Sequence, residues 1–318
     1  MSEAAAGLAP ASIEVRGLAR RFGATLAVDG LDLVVEPGEL FGLVGPDGAG
    51  KTSTLRMLAG VLRPSAGDAR LAGVSVVEDP EGVKPALAYM SQRFGLYADL
   101  TVAENLAFYA DLFRVPKAER AERIERLYDF SNLRPFRDRL AGQLSGGMKQ
   151  KLGLSCALVH EPRILLLDEP TFGVDPVSRR DLWRIVHEMV GRGVTAVVST
   201  AYLDEAERFD RVALLHQGRL VALDTPAALA RSYPGELLEV RTVRARSAVD
   251  LVRRLPGVVD CQLFGDRLHV TVASATATRP PLLEALAANG DDGATAEPVA
   301  ATLEDVFLRL VGAAREAA

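Results

Sequence analysis

Cysteine is scarce: there are two in 318 residues, Cys156 and Cys261, far apart and in no metal-binding spacing. That excludes a disulfide scaffold and a zinc ribbon, and fits a reducing compartment. No apolar run reaches bilayer-spanning length, because charges interrupt every candidate. There is no basic excess either; the formal net charge is −5, so a dedicated nucleic-acid surface is not expected. Met1 to Ala11 are alanine-rich, carry Glu3 and precede the first basic residue, Arg16. A flexible tail is expected there rather than a signal or transit peptide. A chain of this kind is expected to be soluble by itself, and to work at a membrane only by docking on another chain.

What is present is a large apolar fraction, 48% of 318 residues, enough for a sizeable core and about two domains. The stretch around which the rest is organised is Gly45-Pro46-Asp47-Gly48-Ala49-Gly50-Lys51-Thr52, followed by Ser53. It fits G-x-x-x-x-G-K-[ST], a phosphate-binding loop. Leu40 to Val44 before it read as a buried strand, and Leu55, Leu58, Val61 and Leu62 after it recur at helical spacing. Strand, glycine loop, helix is the context the motif requires. Glycines let the main chain wrap a polyanion and turn its N–H groups inward, and the helix adds the positive end of its dipole. Lys51 can reach the β- and γ-phosphates, and Thr52 can offer its hydroxyl to Mg²⁺.

Strands are expected at Ile13–Arg16 and Leu31–Val35 before the loop, and at Ala86–Met90 after it, with Gln92 just past the end. Thr101-Val102-Ala103-Glu104 fits a capping box and starts a helix. Lys117–Tyr128 reads as a solvated surface helix, and the whole stretch from Phe94 to Gln143 looks helical. Ser145-Gly146-Gly147 opens the next helix, either as an ordinary serine N-cap or as a place where an anion sits.

Ile164-Leu165-Leu166-Leu167-Asp168-Glu169 is a buried strand ending in two carboxylates. Adjacent residues at a strand end point to opposite sides and can serve two roles. Asp168 could hold a metal, and Glu169 could orient and polarise water. Asp175-Pro176 starts a further helix, with Trp183 bordering its apolar stripe. Val194–Ser199 is another buried strand, and Val212–Leu215 with Leu220–Leu223 form a hairpin. A composition shift at Tyr233-Pro234-Gly235 marks a boundary. The remainder reads as a small α+β unit of ferredoxin-like order, in which Asp291-Asp292-Gly293 is a solvated turn.

With these motifs in order, the chain from Ile13 to Arg231 resembles the ATP-binding-cassette ATPases. Tyr89-Met90-Ser91-Gln92, Leu100 to Leu106, and the ending Leu303-Glu304-Asp305-Val306-Phe307 resemble the bacterial exporter ATPases that pair with ABC-2-type permeases. The resemblance implies an α/β, P-loop NTPase (RecA-like) core with an antiparallel β subdomain and a helical subdomain. A small C-terminal α+β domain would follow. The nucleotide-binding domain would span 12–235, with the helical subdomain at about 94–152, and the accessory domain 236–318.

Carried over by position, Phe22 would stack on adenine, and Gly45 to Ser53 would hold ATP and Mg²⁺. Gln92 would touch metal and water, and Asp168 would hold the metal. Glu169 would be the general base, with Lys51 on the phosphates. Ser145, Gly146 and Gly147 would contact the nucleotide of an opposite subunit, and Asp175 would lie at the dimer seam. Partners would be an integral-membrane permease and a second ATPase subunit, of the same or a different chain, at the cytoplasmic inner face of the cell membrane. One departure stands out. Ala201 occupies the place of a γ-phosphate-contacting histidine, and none of the four histidines of the chain falls there. The resemblance therefore leaves room for a slow site. It also leaves room for a non-hydrolysing regulatory subunit, or for a soluble ATP switch on ribosomes or DNA.

Overall fold

The computed structural model describes residues 13–92 and 95–316. The expected tail over 1–11 and the start of the helical stretch at Phe94 lie outside the described residues. The chain divides into two compact units at Thr225/Pro226.

The first unit runs β1 (Ile13–Phe22), β2 (Thr25–Val35), β3 (Leu40–Val44), α1 (Lys51–Leu58), β4 (Ala66–Leu71), β5 (Val74–Ser75) and β6 (Leu87–Met90). It continues with α2 (Val102–Leu112), α3 (Lys117–Ser131), α4 (Gly146–Leu158), β7 (Ile164–Asp168), α5 (Pro176–Gly191), β8 (Thr195–Thr200), β9 (Arg211–His216) and β10 (Arg219–Asp224). An antiparallel sheet has the order β2-β1-β4-β5, and a second sheet has the order β10-β9-β3-β8-β7-β6. In the second, β9, β3, β8, β7 and β6 are parallel and only β10 runs against its neighbour. β3, β7 and β8 are buried along their whole length. Central parallel strands are covered on both faces, so their sequences are unbroken apolar runs rather than alternations. One core joins both sheets to α1 through Leu18, Leu43, Leu55, Met57, Leu166 and Val197.

The helical stretch is broken rather than continuous. Thr101 caps α2 with the reciprocal bonds of a capping box, and Asn132 ends α3 in the left-handed conformation. The helix after the phosphate loop is shorter than its periodicity predicts. It ends at Leu58, Gly60 turns the chain at φ +67°, and Val61 is exposed.

The second unit begins with α6 (Pro226–Arg231), which the composition shift assigns to the first. Its strands and helices are β11 (Glu236–Arg241), α7 (Ala245–Arg253), β12 (Val258–Phe264), β13 (Arg267–Val272), α8 (Ala275–Ala288), β14 (Thr295–Val299) and α9 (Leu303–Glu316). The strand order is β12-β13-β11-β14, all antiparallel. The run from β11 to β14 is the β-α-β-β-α-β order of ferredoxin-like units. Leu238, Val240, Leu268 and Val270 pack against α7 and α8. On the alternate positions of β13, the His269 ring stacks on Phe264 and meets Asp305 at 2.5 Å. Asp291 is not the solvated residue expected from sequence. It is buried, and its carboxylate accepts from Thr242 Oγ1 and from the Val243 amide. Among the described residues no helix is long and apolar enough to cross a membrane.

The strand that feeds the phosphate loop is packed without slack. A Cβ on Gly42 would sit 2.4 Å from the Phe209 ring. Gly42→Ala should therefore cost about 1–3 kcal/mol through overpacking. Chemical denaturation checks this, and Phe209→Leu in the same chain should recover part of the loss.

Candidate functional site

The site lies at the carboxyl ends of β3, β6, β7 and β8, where open parallel sheets place their ligands. Main chain alone dictates two of the loop glycines. A Cβ on Gly45 would sit 2.2 Å from the Leu215 carbonyl oxygen, and one on Gly50 2.6 Å from that of Ala27. Gly50 also takes φ +103°, a conformation that side chains resist. It caps α1 without a side-chain bond, and no acid lies in the first turn. The first amides of the helix are left for an anion.

Lys51 opens that helix and is 4% exposed. Its Nζ donates to the carbonyls of Gly45 (2.7 Å) and Pro46 (3.1 Å) and lies 3.1 Å from Glu169 Oε1. The two acids that end β7 do divide their roles. Asp168 Oδ1 accepts from Thr52 Oγ1 (3.0 Å) and Ser199 Oγ (2.7 Å), and its Oδ2 lies 3.5 Å from the Tyr89 hydroxyl. Burial, and next the Asp168 charge, raise the pKa of Tyr89 above its ordinary value. Glu169 turns the other way. It adopts φ +48°, its amide donates to Ser199 Oγ at 3.0 Å, and its Oε2 accepts from Gln92 Nε2 at 3.2 Å.

Lys51, Thr52, Gln92, Asp168 and Glu169 are thus brought together. In this arrangement the Gln92 amide is on the base candidate itself. Thr52 and Asp168 present oxygens a hydrogen bond apart, and no cluster of three or more His, Cys, Asp or Glu occurs among the described residues. That donor set suits Mg²⁺, which keeps waters and phosphate oxygens and takes only one or two carboxylates from protein.

A cleft of about 680 Å³ runs from Phe22 along Asp47 to Ser53 and ends at Gln92 and Glu169. Phe22 is half-exposed at its mouth, with the Arg20 guanidinium 4.5 Å from the ring centroid. Ala201 follows the last residue of β8, whose carbonyl accepts the Gly45 amide at 3.2 Å. Position 201 is therefore beside the phosphate loop, and no histidine lines the cleft.

Ser145, Gly146, Gly147 and Asp175 do not line it. They form a second cluster, where the N-termini of α4 and α5 meet. Ser145 caps α4 through the Met148 amide, and a Cβ on Gly147 would sit 2.3 Å from Ser178 Oγ. Asp175 caps α5, and the Ser178 amide foremost holds its carboxyl below the ordinary carboxylate range.

Two contributors are missing from the sequence reading, Ser199 and Tyr89. Ser199 pairs in register with Asp168 on the adjacent parallel strand. The available signal is a hydroxyl at the carboxyl end of an apolar run.

Residues 28–172 match the ABC transporter family. The chain is 42% identical over 308 residues to the probable multidrug ABC transporter ATP-binding protein YbhF of Escherichia coli (strain K12), covering 96% of this chain and 53% of that protein. It thus spans about half the length of that relative. It is 39% identical to the daunorubicin/doxorubicin resistance ATP-binding protein DrrA of Streptomyces peucetius, covering 80% of this chain and 78% of DrrA. It is 36% identical to the Nod factor export ATP-binding protein I of Paraburkholderia xenovorans (strain LB400), covering 95% and 97%. Among solved structures, an ATP-binding subunit of an ABC transporter superposes with a TM-score of 0.63 at 31% identity, covering 69% of this chain and 92% of that one. Taken with the P-loop fold, these likenesses show that the chain belongs to the ABC transporter family, among its ATP-binding proteins.

Proposed function

We propose that this chain is the ATP-hydrolysing subunit of a bacterial exporter, seated on an ABC-2-type integral-membrane permease at the inner face of the cell membrane. The observation that carries the reading is the convergence of Lys51, Thr52, Gln92, Asp168 and Glu169 at one end of the cleft. The likeness to the Nod factor export ATP-binding protein I supports the exporter role.

In this reading Phe22 stacks on adenine and the loop from Gly45 to Ser53 wraps the phosphates of ATP. Lys51 leaves the Gly45 and Pro46 carbonyls for the β- and γ-phosphates. Thr52 and Asp168 would hold Mg²⁺, with Gln92 beside them, and the ion would supply neutralisation of charge on the transferred group. Glu169, freed from Lys51, takes a proton from the attacking water as its oxygen bonds to the γ-phosphorus. The bond to the leaving oxygen of ADP breaks. Ser145, Gly146, Gly147 and Asp175 are placed away from the cleft of their own chain, which suits the service of a partner's nucleotide. Two subunits would close on ATP and open after hydrolysis, and the stretch carrying α2 and α3 would pass the motion to the permease.

Ala201 bears on the pairing. Alanine offers no side-chain donor to a γ-phosphate, and donors of that kind are worth roughly 10²–10³ in rate. The second subunit would be an ATPase chain, the same or a different one, whose site this chain's Ser145-Gly146-Gly147 completes. A non-hydrolysing regulatory subunit is the second reading, favoured by Ala201 and opposed by Glu169.

Glu169→Gln should abolish turnover and trap an ATP-bound dimer, seen as a shift on size-exclusion chromatography with ATP and Mg²⁺. A variant that stays monomeric and hydrolyses normally removes Glu169 from the role of base. Ala201→His should raise the steady-state ATPase rate of the purified chain at least tenfold, a fraction of the roughly 10²–10³ that such donors supply. A brisk parent that histidine does not improve would sink the slow-site reading, and an inactive parent that histidine does not rescue would favour the regulatory one.

A further inference from the structure

One buried carboxylate in the first unit takes no part in the chemistry above. Glu205 is 2% exposed and lies in the short helical turn Leu203–Arg208 after β8. Its Oε2 accepts from Thr200 Oγ1 at 2.8 Å and Thr171 Oγ1 at 3.0 Å. Its Oε1 accepts from the Trp183 indole N–H at 3.3 Å. Arg179 Nε stands 3.7 Å from the same oxygen and has no hydrogen-bond partner among the described residues.

These partners come from three places. Thr171 is two residues past Glu169. Thr200 is the residue before Ala201. Arg179 and Trp183 lie on α5, the helix that Asp175 caps. Around them the packing is close. Trp183 meets Phe209 edge-on at 5.5 Å, and Arg179 stacks over Tyr202 at 4.9 Å.

A buried carboxylate is an expensive way to fill space, and apolar replacements of such groups are often neutral or stabilising. What it adds is direction: four lone-pair sites that fix the groups donating to them. Glu169 is the residue that needs fixing. At φ +48° it holds a conformation that β-carbon-bearing residues adopt rarely. Such a conformation persists where the surroundings over-determine it. Ser199 fixes the Glu169 amide from one side, and Glu205 fixes Thr171, on its far side, to β8 and α5. With alanine at 201, no side chain there anchors the end of β8 to a bound phosphate.

We infer that Glu205 is a positioning residue of the ATPase site, a clamp that sets the base loop against the end of β8 and ties both to α5. The inference rests on Glu169 acting as the base.

The test uses Glu205→Ala and Glu205→Gln in the full chain, each also in the Ala201→His background. Turnover, ATP affinity and melting temperature are measured together. Glutamine keeps the volume and can still bond both threonine hydroxyls, which turn to accept. Turnover should fall roughly tenfold or more in Glu205→Ala, as small misplacements near chemistry do. ATP affinity should stay within about threefold, and Glu205→Gln should restore most of the rate. Equal losses of affinity and turnover, an unchanged rate in Glu205→Ala, or a glutamine variant as poor as the alanine one would overturn the clamp. If Glu205→Ala does not fold, Thr171→Val takes its place with the same expectations. Trp183 is the only tryptophan of the chain, so its emission reports on this carboxylate. If neither parent hydrolyses ATP, the functional reading has failed and emission decides. A response to ATP that Glu205→Ala loses and Glu205→Gln keeps supports the clamp. Equal responses in all three, or none in the parent, refute it.

Discussion

Lys51 and Glu169 face each other at 3.1 Å, with side chains 4% and 11% exposed. Most of what surrounds them follows from that pair. Two opposite charges taken out of water are stable only when their remaining bonding capacity is filled. Lys51 fills its own with the carbonyls of Gly45 and Pro46, and Glu169 fills its second oxygen with the Gln92 amide. In the proposed reading the pair would also couple binding to chemistry: a phosphate that drew Lys51 away would release the carboxylate beside it, the group that would accept a proton.

The placement of this pair depends on strands that have no freedom of register. β3 lies between β8 and β9, and β7 between β8 and β6, all parallel, with β3, β7 and β8 buried along their whole length. Parallel register brings Asp168 level with Ser199 and Val44 level with Thr200. The phosphate loop, both acids and position 201 therefore emerge at one edge. Polar ends on apolar strands gather at the carboxyl side, and the glycines of the loop let the Gly45 amide reach Thr200 without a clash.

Much of this was legible. Unbroken apolar runs marked the central strands, and Thr101, Ser145 and Asp175 marked helix starts that the structure confirms by their side-chain caps. The G-x-x-x-x-G-K-[ST] spacing and the paired acids marked the cleft. The parts that stayed hidden depend on contacts between distant segments. Ser199 reads as an ordinary strand residue until β7 lies next to it. Asp291 reads as solvated until Thr242 folds over it. Helix α6 continues the composition of the first unit, and only packing against α9 assigns it to the second. Gly60 ends α1 through a backbone conformation, against an apolar periodicity that ran on to Leu62.

Charge balance in the cleft argues for how its ligand enters. Among the described residues Lys51, with Arg56 against Tyr89, is set against Asp47, Asp168 and Glu169 at or beside the phosphate loop. The side chains therefore sum to a negative charge where a polyanion must bind. Attraction has to come from elsewhere, from the uncapped amides at the start of α1 and its dipole, each worth a fraction of what a full charge supplies. In the proposed reading, such a site would favour a triphosphate whose charge a divalent cation has already reduced. The oxygens of Thr52 and Asp168, a hydrogen bond apart, would complete that cation's shell rather than hold it alone. At the far end, the Arg20 guanidinium lies against Phe22 and contributes positive charge away from the chemistry. In the proposed reading the Phe22 end of the cleft would thus anchor the ligand without competing for the charge that the phosphate end must balance.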